Sequence, residues 1–322
     1  MQFDREWLKE DLDRVEKSLR QYLTSEVPLV RQMSDYILAS GGKRIRPILL
    51  LLCARLCGYE GESRYPLAAV IEFLHTATLL HDDVVDSATL RRGRISANIA
   101  WGNQAAVLVG DYLFARCFEM MVDFCDRRIM RVLAETTSLM AQGEVIQLMN
   151  SGDLMLDEGR YLRVVRSKTA ALFSTTCRCA AILGQLDSDR EENLAAFGMH
   201  LGVAFQLVDD ALDYIADPDE SGKVVGRDLA EGKMTLPLIH ALRYCDESER
   251  RMLQRIFVGK DPIEADLGFV QGLLSRYGSI DYTRRQADLS VRQACAQLEY
   301  FPDGTARKEL VALARSAVRR RC

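Results

Sequence analysis

The chain has 322 residues, 48% hydrophobic and 27% charged, with a formal net charge of -4. That balance excludes a disordered chain and a basic nucleic-acid binder, and the length suffices to bury a large apolar core. The longest uninterrupted apolar run, 47–54, falls far short of the ~20 residues that span a bilayer.

The opening stretch, MQFDREWLKEDLDRVEKSL, mixes charged and apolar positions at helical spacing. It lacks the basic, apolar and small-residue succession of a secretory signal, so a cytoplasmic location is expected. Next, SGGKRIRP sets Lys43, Arg44 and Arg46 in a glycine loop closed by Pro47, whose fixed φ suits a first helical position. Cations, backbone N–H groups and a helix start together form an anion cradle. No proline occurs between Pro66 and Pro218, which leaves room for long helices. Apolar residues recur three and four apart in LAAVIEFLHTATLLHDDVVD, AAVLVGDYLFARCFEMMVDF and VLAETTSLMAQGEVIQLMN, and period-two alternation is nearly absent.

The reading is therefore all-α, as one domain over 1–322. Loops are expected at LASGGKRIRP, LCGYEGESRYP, TLRRGRISANIAWGN, NSGDLMLDEG, LGQLDSDREE and ADPDESGKVVGRDLAEGKMTLP. Nine cysteines without a C-x-x-C pair, beside four histidines, read as reduced core thiols rather than disulfides or a zinc site. The basic end, RSAVRRRC, reads as a solvated helix terminus, with weak membrane-surface association as the alternative.

Two helices carry an unusual load. LLHDDVVD puts Asp82, Asp83 and Asp86 in an apolar run, and FQLVDDALDY repeats the arrangement with Asp209, Asp210 and Asp213. Positions i and i+4 share a helix face, so Asp82 and Asp86 point the same way with Asp83 beside them. Taking unpaired carboxylates out of water costs several kcal/mol, and divalent cations between the helices would remove the repulsion. An all-oxygen donor set favours Mg²⁺ over zinc. Mg²⁺ takes only one or two protein carboxylates and completes its octahedron with water and phosphate oxygens, so a diphosphate substrate is implied. One D-D-x-x-D in a charged helix is commonly a solvated face; two, each flanked by Leu, Val or Phe, argue for a site.

Cations surround these motifs. LRRGR follows the first and supplies Arg91, Arg92 and Arg94, while RSKTAALF and GKVVGRDLAEGKMTLP add Lys168, Lys223 and Lys233. Arginine binds phosphate oxygens bidentately. Each basic residue alone is an ordinary surface charge, and their clustering around glycines and acidic helices is what points to phosphate.

In order and spacing, GGKRIRP, LLHDDVVD followed by RRG, GDYLFA, SKTAALF, FQLVDDALDY and GKMTLPL resemble the trans-polyprenyl diphosphate synthases, above all the long-chain, octaprenyl type. The resemblance implies the isoprenoid synthase fold, a bundle of long antiparallel helices around a central cavity, assembled as a homodimer. It implies head-to-tail condensation of isopentenyl diphosphate with an allylic diphosphate such as farnesyl diphosphate. About two to three Mg²⁺ ions would be held by Asp82, Asp83 and Asp86 and by Asp209, Asp210 and Asp213. By the same resemblance Arg91 contacts the allylic diphosphate, with Lys168, Lys223 and Lys233 on its other side, and Lys43, Arg46, His75 and Arg92 bind isopentenyl diphosphate. Thr169 and Gln206 present oxygen dipoles to the developing allylic cation.

Ala77 and Thr78, about one turn before Asp82, are both small and would let a chain grow past them to a floor near Leu139 or Met140. Alternatives are a farnesyl or geranylgeranyl synthase and a non-catalytic partner subunit of a heteromeric synthase, which degraded aspartates would mark. A histidine–aspartate phosphohydrolase, suggested by His75, His81 and Asp82, needs more histidines than the four present. A terpene cyclase would have no use for Lys43, Arg46 and His75.

Overall fold

The structure, a computed structural model, describes residues 6–39, 42–91, 93–215, 226–258 and 264–319. Its elements follow the helical periodicity: α1 (Glu6–Tyr22), α2 (Pro28–Ala39), α3 (Ile45–Leu56), α4 (Arg64–Val85), α5 (Ala97–Trp101), α6 (Asn103–Phe124), α7 (Arg127–Met149), α8 (Glu158–Val165), α9 (Ala171–Leu183) and α10 (Ser188–Ile215). A π-helical turn, Arg166–Ala170, joins α8 to α9. A short helix, Arg227–Ala230, lies in the stretch expected to be a loop, because its four residues are too few to leave a periodic signal. Helices Leu236–Leu242, Glu247–Val258, Glu264–Arg276, Ser279–Gln297 and Thr305–Val318 follow. None of the helices among the described residues is long and apolar enough to cross a membrane.

The chain groups into two compact units. The first comprises Met1–Thr137, Thr175–Ala195 and Tyr300–Leu310; the second comprises Ser138–Ser174, Ala196–Glu299 and Val311–Cys322.

In the first unit α4 packs along α6, and α1 and α3 pack on α4. The apolar run 47–54 is the buried centre of α3, with every residue from Pro47 to Ala54 out of solvent. Each such leucine contributes about 2 kcal/mol by leaving water. Cys53 and Cys177 meet in this core with their Sγ atoms 3.7 Å apart, and burial pushes the Cys53 thiol up. On α6 the apolar side chains divide: Val109, Leu113 and Met120 are buried, whereas Leu108, Phe118 and Val122 are 66%, 57% and 72% exposed.

The second unit has its own core, built around Tyr161, Leu207, Tyr214, Leu236, Leu253 and Leu273. Helix Leu236–Leu242 packs against Ser279–Gln297. There His240 stacks on Tyr282 with ring centroids 4.1 Å apart, and its Nδ1 lies 3.0 Å from Ser279 Oγ.

Two local expectations are corrected. α3 begins at Ile45, so Pro47 is its third residue rather than its first. The missing N–H still costs no helical bond, because the first four amides have no intrahelical acceptor. Arg44 takes the left-handed φ of +46° just before the helix and pairs with Glu16 at 2.7 Å and Glu72 at 2.8 Å. It is a strut between α1 and α4 rather than part of an anion cradle.

The stretch TLRRGRISANIAWGN is more than a loop. It holds an antiparallel hairpin, Leu90–Arg91 with Arg94–Ile95, and then α5. Two-residue strands are too short to give a period-two signal. Tyr36 of α2 donates to the Ile95 carbonyl at 2.6 Å and ties the hairpin down.

Candidate active site

The first acidic motif lies at the end of α4, where the helix closes through the Asp86 amide donating to the Asp82 carbonyl at 2.8 Å. The three aspartates are not equivalent. Asp83 is buried and accepts from Arg91 Nε at 2.8 Å, with a second contact from the same guanidinium. Asp82 and Asp86 keep part of their surface in solvent. Arg91 comes from the first hairpin strand, so the segment expected to grip phosphate also neutralises one of the expected metal ligands. Both donors converge on the one Asp83 Oδ1, and this charge-assisted pair fixes the loop against the helix end.

His75 lies two turns before Asp82, on the same face of α4. Lys43 and Arg46 flank the start of α3, which packs against α4. His81 instead turns to α6: its Nε2 lies 3.1 Å from the Val107 carbonyl, and a Cβ at Gly110 would lie 2.2 Å from that nitrogen. Ala77 is wholly buried, and the Thr78 hydroxyl bonds its own helix at the His75 carbonyl, 2.8 Å away. Of the expected floor residues, Met140 is buried and Leu139 is 41% exposed. Arg92 and Lys223 lie outside the described residues.

Asp210 of the second motif lines a cavity of about 110 Å³ within the second unit, whose wall also includes Gln147, Lys168, Thr169, Gln206, Asp228 and Lys233. A chain of hydrogen bonds runs along it. The Thr169 hydroxyl donates to Gln206 Oε1 at 2.8 Å, and Gln206 Nε2 donates to Asp210 Oδ1 at 2.7 Å. The Tyr161 hydroxyl donates to the other Asp210 oxygen. Asp210 is thus held at both oxygens, which also settles which way the Gln206 amide faces.

Two glycines allow this assembly. A Cβ at Gly143 of α7 would lie 2.9 Å from the Lys168 backbone nitrogen, and one at Gly202 of α10 would lie 2.5 Å from Ala170 Cα. The π turn that carries Lys168 and Thr169 therefore touches both helices at backbone distance. π turns insert one extra residue into a helix and recur at functional sites. Here Lys168 is sent toward Glu144 and Thr169 toward Gln206.

Burial pushes Asp210 up to about 7, against the lowering effect of the Tyr161 and Gln206 hydrogen bonds and with the charges of Asp209 and Asp213 adding to the rise. Burial likewise raises Asp213 to about 6, although it accepts the Asp228 amide at 3.0 Å. Asp228 is raised well above the usual carboxylate range by burial and then by Asp213 and Asp210, with Lys233 in partial opposition. Buried carboxylates this close resist ionising together.

That donor set fits divalent cations, whose charge would let the carboxylates ionise. Among the described residues no three Asp, Glu, His or Cys side chains converge as a ready cage. An all-oxygen set of donors suits Mg²⁺, which takes one or two carboxylates and leaves the rest of its shell to water and phosphate. A further sign is Asn150 Nδ2, which is buried and has no hydrogen-bond partner among the described residues. Asn150 lines the same cavity, and its Oδ1 accepts from Arg160 at 2.9 Å. A buried donor in that state calls for an acceptor oxygen.

Sequence reasoning missed Asp228, Tyr161, Glu144 and Asn150. Asp228 stood in plain view within GRDLAEGK, an acid among glycines and lysines. The other three carry no local signal, since their partners come from distant or differently wound segments.

Comparison with known proteins gives a consistent picture. The family description "Polyprenyl synthetase" matches residues 27–268. The octaprenyl diphosphate synthase of Escherichia coli is 43% identical over 314 residues, covering 97% of this chain and 96% of that protein. The all-trans-nonaprenyl-diphosphate synthase (geranyl-diphosphate specific) of Rhodobacter capsulatus is 40% identical, covering 97% of this chain and 95% of that one. Among solved structures, a polyprenyl synthase from Caulobacter crescentus, complexed with calcium and isoprenyl diphosphate, superposes with a TM-score of 0.95 at 39% identity. It covers 99% of this chain and 97% of its own. With the family description spanning most of the chain and relatives matching it nearly end to end, the chain belongs to the polyprenyl synthetase family.

Proposed function

We propose that the protein condenses isopentenyl diphosphate head-to-tail with an allylic diphosphate to build a long all-trans polyprenyl diphosphate of octaprenyl type, working as a cytoplasmic homodimer. The observation that carries this reading is the cavity of the second unit. Lys168, Lys233 and the orphaned Asn150 donor share its wall with buried carboxylates, a combination suited to a metal-bound diphosphate.

Mg²⁺, held by Asp82 and Asp86 and by Asp209, Asp210 and Asp213, would supply neutralising charge to the departing diphosphate when bound. The chain's own residues do the rest. Lys168 and Lys233 stabilise the same developing charge, a well-placed donor being worth about 3–4 kcal/mol in a water-poor site. Thr169 gives its proton to Gln206, so its lone pairs are left for an electron-poor carbon, and Asp210 keeps Gln206 turned the right way to accept. The allylic cation is attacked by the double bond of isopentenyl diphosphate, and the released diphosphate takes the proton. The apolar exposed face of α6, with Leu108, Phe118 and Val122, supports a second copy as partner.

Incubation with farnesyl diphosphate, isopentenyl diphosphate and Mg²⁺, followed by mass spectrometry of the dephosphorylated products, tests the reading. An octaprenyl-type alcohol is expected. Products that stop at farnesyl or geranylgeranyl length would move the protein to the short-chain class, and no product at all would favour the partner-subunit alternative.

The role of the α3 start has a separate kinetic signature. Arg46→Ala should raise the apparent KM for isopentenyl diphosphate about tenfold, equivalent to about 1.4 kcal/mol of lost ground-state binding, and barely change that for the allylic substrate. An equal rise for both substrates in steady-state kinetics would reassign Arg46.

A further inference from the structure

Resting on that prenyl-transfer reading, we infer that Glu144 is the positioning residue of Lys168, fixing its ammonium on the cavity wall for the diphosphate that leaves. Its carboxylate pairs with Lys168 Nζ, and the two side chains are 24% and 21% exposed, partly shielded from water. Gly143, the residue before it, lets α7 approach the π turn at backbone distance, with 2.9 Å between a would-be Cβ and both the Lys168 nitrogen and Ser167 Cβ. Any larger residue there would hold Glu144 and Lys168 apart. Gln147, about one turn beyond Glu144, lines the same cavity as Lys168, so this face of α7 runs along the site.

The physical need is clear. A lysine ammonium is a strongly hydrated point charge on a flexible four-carbon stem, and it stabilises a transition state only if it is already in place when charge develops. Glu144 supplies that order before substrate arrives. An ammonium has three N–H groups, and the pair with Glu144 engages one side of it. Because Glu144 is itself negative, it offsets part of the ground-state attraction that the ordered ammonium gives, while the gain from order is largest when charge grows on the leaving diphosphate. Its contribution therefore belongs in kcat and not in KM, a separation that a residue serving only the fold would not produce.

The test is a double-mutant cycle in the full-length protein. Glu144→Gln, close to isosteric, should lower kcat about tenfold, leave the allylic KM within about twofold, and leave the thermal midpoint nearly unchanged. Glu144→Gln combined with Lys168→Ala should be no slower than Lys168→Ala alone, because the partner through which Glu144 acts is then gone. If the amide variant folds poorly, Glu144→Asp replaces it in the cycle, keeping the charge but withdrawing it by one methylene. Additive losses, or a raised allylic KM with kcat intact, in an otherwise active protein would overturn the assignment while leaving the proposed function standing. Absence of product from the unmodified protein would overturn both.

Discussion

Asp209→Ala is expected to lower turnover about 10²- to 10³-fold with little change in thermal midpoint, and Asp82→Ala to behave in the same way. Both aspartates keep part of their surface in solvent, so removing either opens no core cavity. What is lost is charge that the proposed metal and diphosphate chemistry requires. Their neighbours should behave differently. Asp83 is buried and paired with half-buried Arg91, and Asp210 is bonded to buried Tyr161 and half-buried Gln206, so alanine at either site leaves shielded partners unsatisfied and should lower the melting temperature as well as the rate. Initial rates with Mg²⁺ and thermal melts of the four variants separate the two classes. Full activity of the unmodified protein in EDTA would end the metal reading altogether.

Gly202→Ala should be the most damaging single methyl added to the second unit. The new Cβ would lie 2.5 Å from Ala170 Cα, 2.8 Å from Ala170 Cβ and 3.2 Å from Phe173 Cβ. Ala170 and Phe173 are both completely buried, so neither has room to yield. Either α10 or the π turn must move, and overpacking of this kind costs about 1–3 kcal/mol. The displacement falls where it harms function most, because Gln206 is one turn beyond Gly202 and Thr169 immediately precedes Ala170. Their 2.8 Å hydrogen bond spans the gap that would open. Activity should fall by about tenfold or more, since displacements near 1 Å at a reacting centre can cost two orders of magnitude. Gly272→Ala is the control: it lies in the helix Glu264–Arg276 with nothing within 4 Å of its would-be Cβ. There the methyl should stabilise the helix by about 0.5–1 kcal/mol and leave the rate untouched. A Gly202→Ala protein as active and as stable as the control would show that the π turn is not confined in this way.

The sequence alone determined the helices and the place of the two acidic motifs on them. Helical periodicity is a local property, and a run such as LAAVIEFLHTATLLHDDVVD declares a buried helix with carboxylates at its end whatever it packs against. The order of acidic and basic motifs carried the family resemblance for the same reason. The tertiary structure decided how those residues divide their labour. Asp83 parted from Asp82 and Asp86 because a hairpin too short to leave a periodic signal brought Arg91 to it. Arg44, one more cation in a basic loop by sequence, became a strut because Glu16 and Glu72 converged on it from two other helices. Tyr161 reached Asp210, and Glu144 reached Lys168, across separations in the chain that only helix packing closes. The π turn between Gly143 and Gly202 is of the same kind: two glycines far apart in sequence become one requirement once three backbone segments must touch, and no local propensity encodes that contact.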